Sequence, residues 1–225
     1  MKYYTVVIPT TNNLVGISDI VVEDPLVSSV ICENNSLESL PISNIYASFV
    51  KSPTGIIEKI TGHSSYRIDI TNRIEQGDSW QLAIAIAHIF HDNNFLSFST
   101  NENLINNNKH TIIWASGTIN SNLDVKAISY LDQKLKNSIN FFKQCIEYNI
   151  TVEIVLSFEN KIDLNNILEN NKFLKEAITK KQIKLISIKN LKDFFDNTFL
   201  KNVFNLKKKP PSLLLKIKKY VIPII

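Results

Sequence analysis

The run Ser79-Trp80-Gln81-Leu82-Ala83-Ile84-Ala85-Ile86-Ala87-His88-Ile89-Phe90-His91 constrains this chain more than any other stretch. It is apolar on almost every side, and it is too long and too free of turn residues for an ordinary strand, so it reads as a helix. A helix without a polar face has to be enclosed by other elements. The remaining residues must therefore build walls around 79–91, and 225 residues are enough to do so around one large core.

The walls are readable in outline. Residues 3–9, 15–23 and 28–33 form short Val/Ile/Tyr-rich runs bounded by Asn, Asp or Pro, which is the signature of strands. A polar connector at 34–44 follows, and strand-like runs return at 45–50, 55–61 and 64–71. After the buried helix comes an Asn-rich loop at 93–110, then a buried strand at 111–119 with a short partner at 123–128. Residues 129–148 repeat Leu131, Leu135, Ile139, Phe142 and Ile146 at spacings of three or four, which predicts an amphipathic helix. A strand at 152–157, a polar helical stretch at 163–180, a strand at 183–188 and a helix at 189–204 complete the pattern. The first half is mostly strand and the second alternates strand with helix, so the expected class is α+β, a mixed sheet with packed helices.

Charge and cysteine content exclude several functions. The formal charge is +4, but Lys207, Lys208, Lys209, Lys216, Lys218 and Lys219 crowd the C-terminal tail, leaving a nearly neutral body. No electrostatic footprint for nucleic acid spreads over the domain. The two cysteines, Cys32 and Cys145, have no metal-type spacing, which fits a reducing, cytoplasmic setting. No run of about 18 apolar residues points to a membrane span, and the N-terminus has no long apolar stretch of signal-peptide type. His88, His91 and Asp92 give a HxxHD spacing at a helix end; the two histidines could share a metal, but no third ligand is obvious, so no metal site is expected. His63 and His110 have no partner that the sequence identifies. The tail mixes lysine with apolar residues, a composition suited to an anionic membrane surface, although Pro210, Pro211 and Pro223 interrupt any long helix. A packing arm or loose end suits it better.

Two residues carry a chemical pattern. Ser79 stands where a loop meets the buried helix, and a helix start presents unpaired N–H groups and a positive dipole end. Such groups can hold an acyl-transfer oxyanion, with Gly77 allowing close backbone approach. The plain alternative is that Asp78 or Ser79 is only a helix cap. Lys134 falls about −60° from Leu131 on the 129–148 helix, along the apolar arc between Phe141 and Cys145. Its helix-mates Asp132, Lys136 and Lys143 lie on the opposite side. A lysine buried there has a depressed pKa and can act as a base; one that snorkels to water cannot.

The local sequences add a resemblance. Ala115-Ser116-Gly117-Thr118-Ile119 resembles the A-T-G-E-I strand motif of Lon-type serine–lysine peptidases, and counting on without a gap puts Lys134 at that family's catalytic lysine. Ser157-Phe158-Glu159-Asn160-Lys161-Ile162-Asp163-Leu164 is similar to its P-x-E-N-K-x-D-L segment, and Gly77-Asp78-Ser79-Trp80-Gln81-Leu82-Ala83 to its G-P-S-A-G-L-A nucleophile motif. The resemblance covers roughly 45–200, and implies a Lon-like proteolytic domain at 45–204. It leaves a β-rich extension at 1–44 and a basic, apolar tail at 205–225. It implies Ser79 as nucleophile, Lys134 as general base, Ser116 as the hydroxyl that orients the amine, and Gly77, Asp78 and Trp80 around the oxyanion. Asp78 stands in place of a proline, and would hold Lys134 charged if its carboxylate reached the amine. Trp80 replaces a small residue, and its bulk is expected to narrow the cleft. No GxxxxGK[ST] cradle occurs, so the implied activity is ATP-independent limited cleavage of a protein substrate. It needs no cofactor, and it acts alone, with a regulatory or motor partner chain, or in a homo-oligomer. The second reading is a domain of the same fold that has lost catalysis and serves binding or assembly.

Overall fold

A computed structural model describes residues 3–34, 36–53, 55–99 and 110–196. The tail at 205–225 and the middle of the Asn-rich loop lie outside the described residues. Seven strands form one sheet: β1 (Tyr3–Pro9), β2 (Leu14–Val22), β3 (Val30–Glu33), β4 (Tyr66–Ile70), β5 (His110–Ser116), β8 (Thr151–Ser157) and β9 (Ile183–Ile188). Their order is β3-β4-β2-β1-β5-β8-β9, and every neighbouring pair is parallel except the two that involve β2. The sheet is thus mixed but mostly parallel. A two-stranded ribbon, β6 (Thr118–Ile119) with β7 (Val125–Lys126), stands beside it. The β-rich stretch at 1–44 supplies β1 and β2 to the middle of this sheet, between β4 and β5.

Helices cover the sheet on both faces. On β1 the side chains of Tyr4, Val6 and Ile8 join one apolar cluster while Val7 joins the other. On β5, Ile113 and Ala115 face one way and Ile112 and Trp114 the other, as the two-residue period of a strand requires. The first cluster is closed by α1 (Ser43–Val50), α2 (Ile57–Thr61), α3 (Gln81–Asp92) and α7 (Leu191–Asp196). The second is closed by α4 (Leu131–Glu147), α5 (Lys161–Asn170) and α6 (Lys172–Thr179). The all-apolar helix α3 has nine consecutive buried residues, Leu82 through Phe90. None of the helices among the described residues is long and apolar enough to cross a membrane.

Two expected strands are helices. The run at 45–50 belongs to α1, where Ser43, Tyr46, Phe49 and Val50 are the buried positions. The run at 55–61 contains α2, where Ile57, Ile60 and Thr61 are buried, with Ile56 buried just before it. Burial at spacings of three and four defines one helical stripe in each, and this outweighs the strand preference of their β-branched and aromatic residues. The polar stretch at 163–180 is two helices, broken at Asn171 (φ −122°, ψ 91°), whose side chain accepts from the Leu174 N–H. Of the helix expected at 189–204, residues 191–196 are helical, and 197–204 lie outside the described residues.

The second cluster is keyed to the sheet by Trp114, whose indole N–H donates to Ser138 Oγ at 2.9 Å, while Ser138 donates to the Lys134 carbonyl at 2.7 Å. Phe142 packs beside Trp114 and is wholly buried. Phe142→Ala is expected to lower unfolding stability by about 3–5 kcal/mol, measured by denaturant titration, because the emptied volume sits between two rigid layers.

Candidate active site

A cleft of about 580 Å³ opens at the carboxyl ends of β1 and β5. In sheets of this kind the crevice forms there because successive helices leave on opposite faces. Here α3 lies on one face and α4 on the other. The walls are the β1–β2 turn at 10–13, the segment 73–80 that leads into α3, and the segment 127–130 that leads into α4. The strand–helix outline predicts neither the first wall nor Tyr130 at the mouth, since turn residues carry no periodic signal.

Ser79 and Lys134 meet in this cleft. Lys134 Nζ lies 2.6 Å from Ser79 Oγ and 3.1 Å from Ser116 Oγ. Ser116 in turn donates to the Ser79 carbonyl, a long bond at 3.4 Å. Lys134 stands in the first turn of α4, and its residue is 4% exposed. Burial pushes its pKa down from 10.5 to about 8, since the ammonium loses hydration. No carboxylate among the described residues forms an ion pair with it. Asp78 is exposed, and no charge on it contributes to the shift at Lys134. The amine therefore faces two hydroxyls. Once neutral, it has hydrogens for Ser116 and a lone pair for the Ser79 proton.

The turn at 77–80 is held by backbone bonds rather than by a side-chain cap. Helix α3 begins at Gln81 without any cap from a side chain, so neither Asp78 nor Ser79 serves that purpose. Instead the Gly117 N–H donates to the Ser79 carbonyl at 2.9 Å, and the Leu82 N–H donates to the Gly117 carbonyl at 3.0 Å. Gln81 Oε1 accepts from the Ile119 N–H at 2.9 Å. Gly117 is required by the close approach: a Cβ there would lie 2.8 Å from Val125 Cγ1 and 3.1 Å from Leu82 Cδ2. Gly77 has φ +87°, a conformation that favours glycine. The N–H groups of Asp78 and Ser79 have no acceptor among the described residues. Trp80 borders the cleft but does not obstruct it. It is 1% exposed, and its ring packs edge-on against Phe49 and Tyr46.

The segment at 157–164 braces the other wall. Ser157 donates to the Val125 carbonyl at 2.8 Å, and the Glu159 carboxylate accepts from the Ala127 N–H and from Lys126 Nζ. Asn160 accepts from the Ile128 N–H and donates to the Ile128 carbonyl, both at 3.1 Å. These bonds fix the approach to α4 and hence the position of Lys134. The histidines of the HxxHD spacing are elsewhere: His88 lies in the first core with its Nε2 2.9 Å from Tyr46 Oη, and burial pushes its pKa down to about 3. Cys32 and Cys145 are buried free thiols.

Compared with known proteins, the chain matches no family model and no curated protein.

The buried amine sets a pH dependence for stability. Folded Lys134 binds its proton more weakly than the unfolded chain does, so between about pH 8 and 10.5 the unfolded state holds more protons. Stability contributed by this group therefore rises with pH across that window, and the burial penalty is complete below it. Lys134→Met is expected to exceed the wild type in stability by about 1–3 kcal/mol at pH 7. The gain should shrink as pH rises past 8. Denaturant midpoints at pH 7 and pH 9.5 test this, and a variant weaker than the wild type at pH 7 would count against a desolvated amine.

Proposed function

We propose that this chain is a serine endopeptidase of Lon type that works with a Ser79–Lys134 dyad. The observation that supports this reading most strongly is the 2.6 Å approach of an uncompensated, desolvated lysine to a serine hydroxyl at the head of a helix. A lysine paired with a carboxylate would stay charged and inert as a base; one facing only hydroxyls at a pKa of about 8 is neutral often enough to act. The Lon-like character of the domain rests on the three motifs, of which two contribute to the cleft lining and the third, at 157–164, bonds to the segment 125–128.

The geometry supports an acyl-transfer reaction. Ser79 Oγ passes its proton to Lys134 Nζ and attacks the scissile carbonyl carbon, whose π electrons move to oxygen. The N–H groups of Asp78 and Ser79 stabilise that oxyanion. Collapse of the tetrahedral intermediate expels the amine, which takes the proton from Lys134 and leaves an acyl group on Ser79. Water, deprotonated by Lys134, then releases the acid and restores the Ser79 hydroxyl. Ser116 keeps the amine aimed throughout by accepting one of its hydrogens. No step uses a nucleotide. The cleft opens to solvent and mixes polar with apolar lining, which suits an exposed segment of a protein substrate.

Labelling with a fluorophosphonate tests the reading. Ser79 Oγ forms the P–O bond, fluoride leaves, and Lys134 takes the proton. The wild type is expected to label at Ser79, with loss in Ser79→Ala and a fall of about 10³-fold or more in Lys134→Ala. The labelling rate should rise about tenfold per pH unit and level off above pH 8. A wild-type protein that stays unlabelled from pH 7 to 10 would remove the peptidase reading and leave a binding or assembly module.

A further inference from the structure

The indole of Trp80 has a task that its bulk does not suggest. Its Nε1–H donates to the Gly77 carbonyl at 2.6 Å. The ring itself is immobilised in the first core, edge-on to Phe49 at 5.6 Å and to Tyr46 at 6.3 Å between centroids. Tyr46 is in turn tied to His88 on α3. The Gly77 carbonyl is therefore pulled toward the protein interior by a fixed donor. The Gly77–Asp78 peptide is trans, the sole cis bond among the described residues being Ser52–Pro53. In a trans peptide the C=O and N–H point in opposite directions. An inward Gly77 carbonyl thus turns the Asp78 N–H outward, and both residues line the cleft.

The neighbouring peptide behaves alike. The Asp78 carbonyl accepts from the Gln81 N–H at 3.0 Å, so it points along the helix, and the Ser79 N–H points the other way. We propose that Trp80 is a positioning residue for the oxyanion site: its indole N–H locks the Gly77–Asp78 peptide so that the Asp78 N–H, together with that of Ser79, faces the developing charge. This rests on the peptidase reading above and deepens it. Without the lock, Gly77 is free to let its peptide rotate, since glycine at φ +87° meets little steric resistance. A rotated peptide would present a carbonyl oxygen to an oxyanion, and repulsion would replace stabilisation. The proline that the resembled motif carries at position 78 has no N–H. Asp78 supplies one, and Trp80 directs it.

Trp80→Phe keeps an aromatic ring against Phe49 and Tyr46 and removes only the donor. A second variant carrying β-(3-benzothienyl)alanine at Trp80 replaces the indole N–H by sulfur with nearly the same shape, so it covers the case in which Trp80→Phe fails to fold. Fluorophosphonate labelling is measured for the wild type and both variants, separating the maximal rate kinact from the half-saturating concentration KI. The expected result is a fall in kinact of about 10- to 100-fold, the range for a misdirected oxyanion donor. KI should change less than about twofold, since ground-state binding does not use the oxyanion contact. The pH midpoint should stay near 8, because Lys134 is untouched. A wild type that labels beside folded variants with unchanged kinact overturns the role of Trp80 and leaves the dyad standing. A shifted pH midpoint also overturns it, since the change would then act through the dyad. A wild type that does not label removes both readings.

Discussion

The cleft depends on one amine that is kept from water without a counter-charge. Lys134 has given up most of its hydration and has received only two hydroxyls in return. Such a group costs stability, and the surrounding fold must hold it in place by packing. The bonds from Trp114 through Ser138 to the Lys134 carbonyl do this from the sheet side. The bonds of Ser157, Glu159 and Asn160 do it from the preceding segment. Both sets fix the backbone of α4 and its approach, and neither places a carboxylate near Nζ. The proposed base role of Lys134 requires support without neutralisation, and this arrangement is compatible with it.

Ser79, the proposed nucleophile, is held by a different device. The turn that carries Ser79 is joined to the segment 117–119 by reciprocal backbone bonds and by the Gln81 side chain. In effect the turn continues the hydrogen-bonding of the sheet beyond the end of β5. Backbone N–H groups bonded in this way do not compete for the cleft, which leaves those of Asp78 and Ser79 free to face it. A side-chain cap, the common solution at a helix start, would have occupied some of these donors. Its absence at α3 agrees with what the cleft requires.

Much of this could be read from residue order, and the failures have physical causes. The apolar run at 79–91 announces a central helix because no other structure hides so many side chains at once. The position of Lys134 on the apolar arc of α4 is visible from helical geometry alone, and the structure places it there. The runs at 45–50 and 55–61 deceive because five to eight residues rich in Ile, Tyr, Phe and Val carry both periodicities. The deciding fact is which positions the first core accepts. Trp80 was legible as large but not as directional: nothing in the order of residues says that its nitrogen reaches back to Gly77. The turn at 10–13 carries no signal of its function either, since its position over α4 comes from tertiary contacts. Gln133 Nε2 donates to the Thr11 carbonyl at 3.1 Å, and Asn137 bonds to the same oxygen.

The two apolar clusters lie on opposite faces of the sheet, and the proposed dyad is divided between them. Ser79 enters with α3 from one face, whereas Lys134 enters with α4 from the other. Their contact is thus a seam between two separately packed halves, closed only at the rim where the strands end. A shear of about an ångström between the layers, too small to disturb either core, would break the dyad while every helix and strand stayed folded. The site thereby acts as a vernier for the registry of the whole sandwich, and anything that grips both faces at once would tune it from a distance.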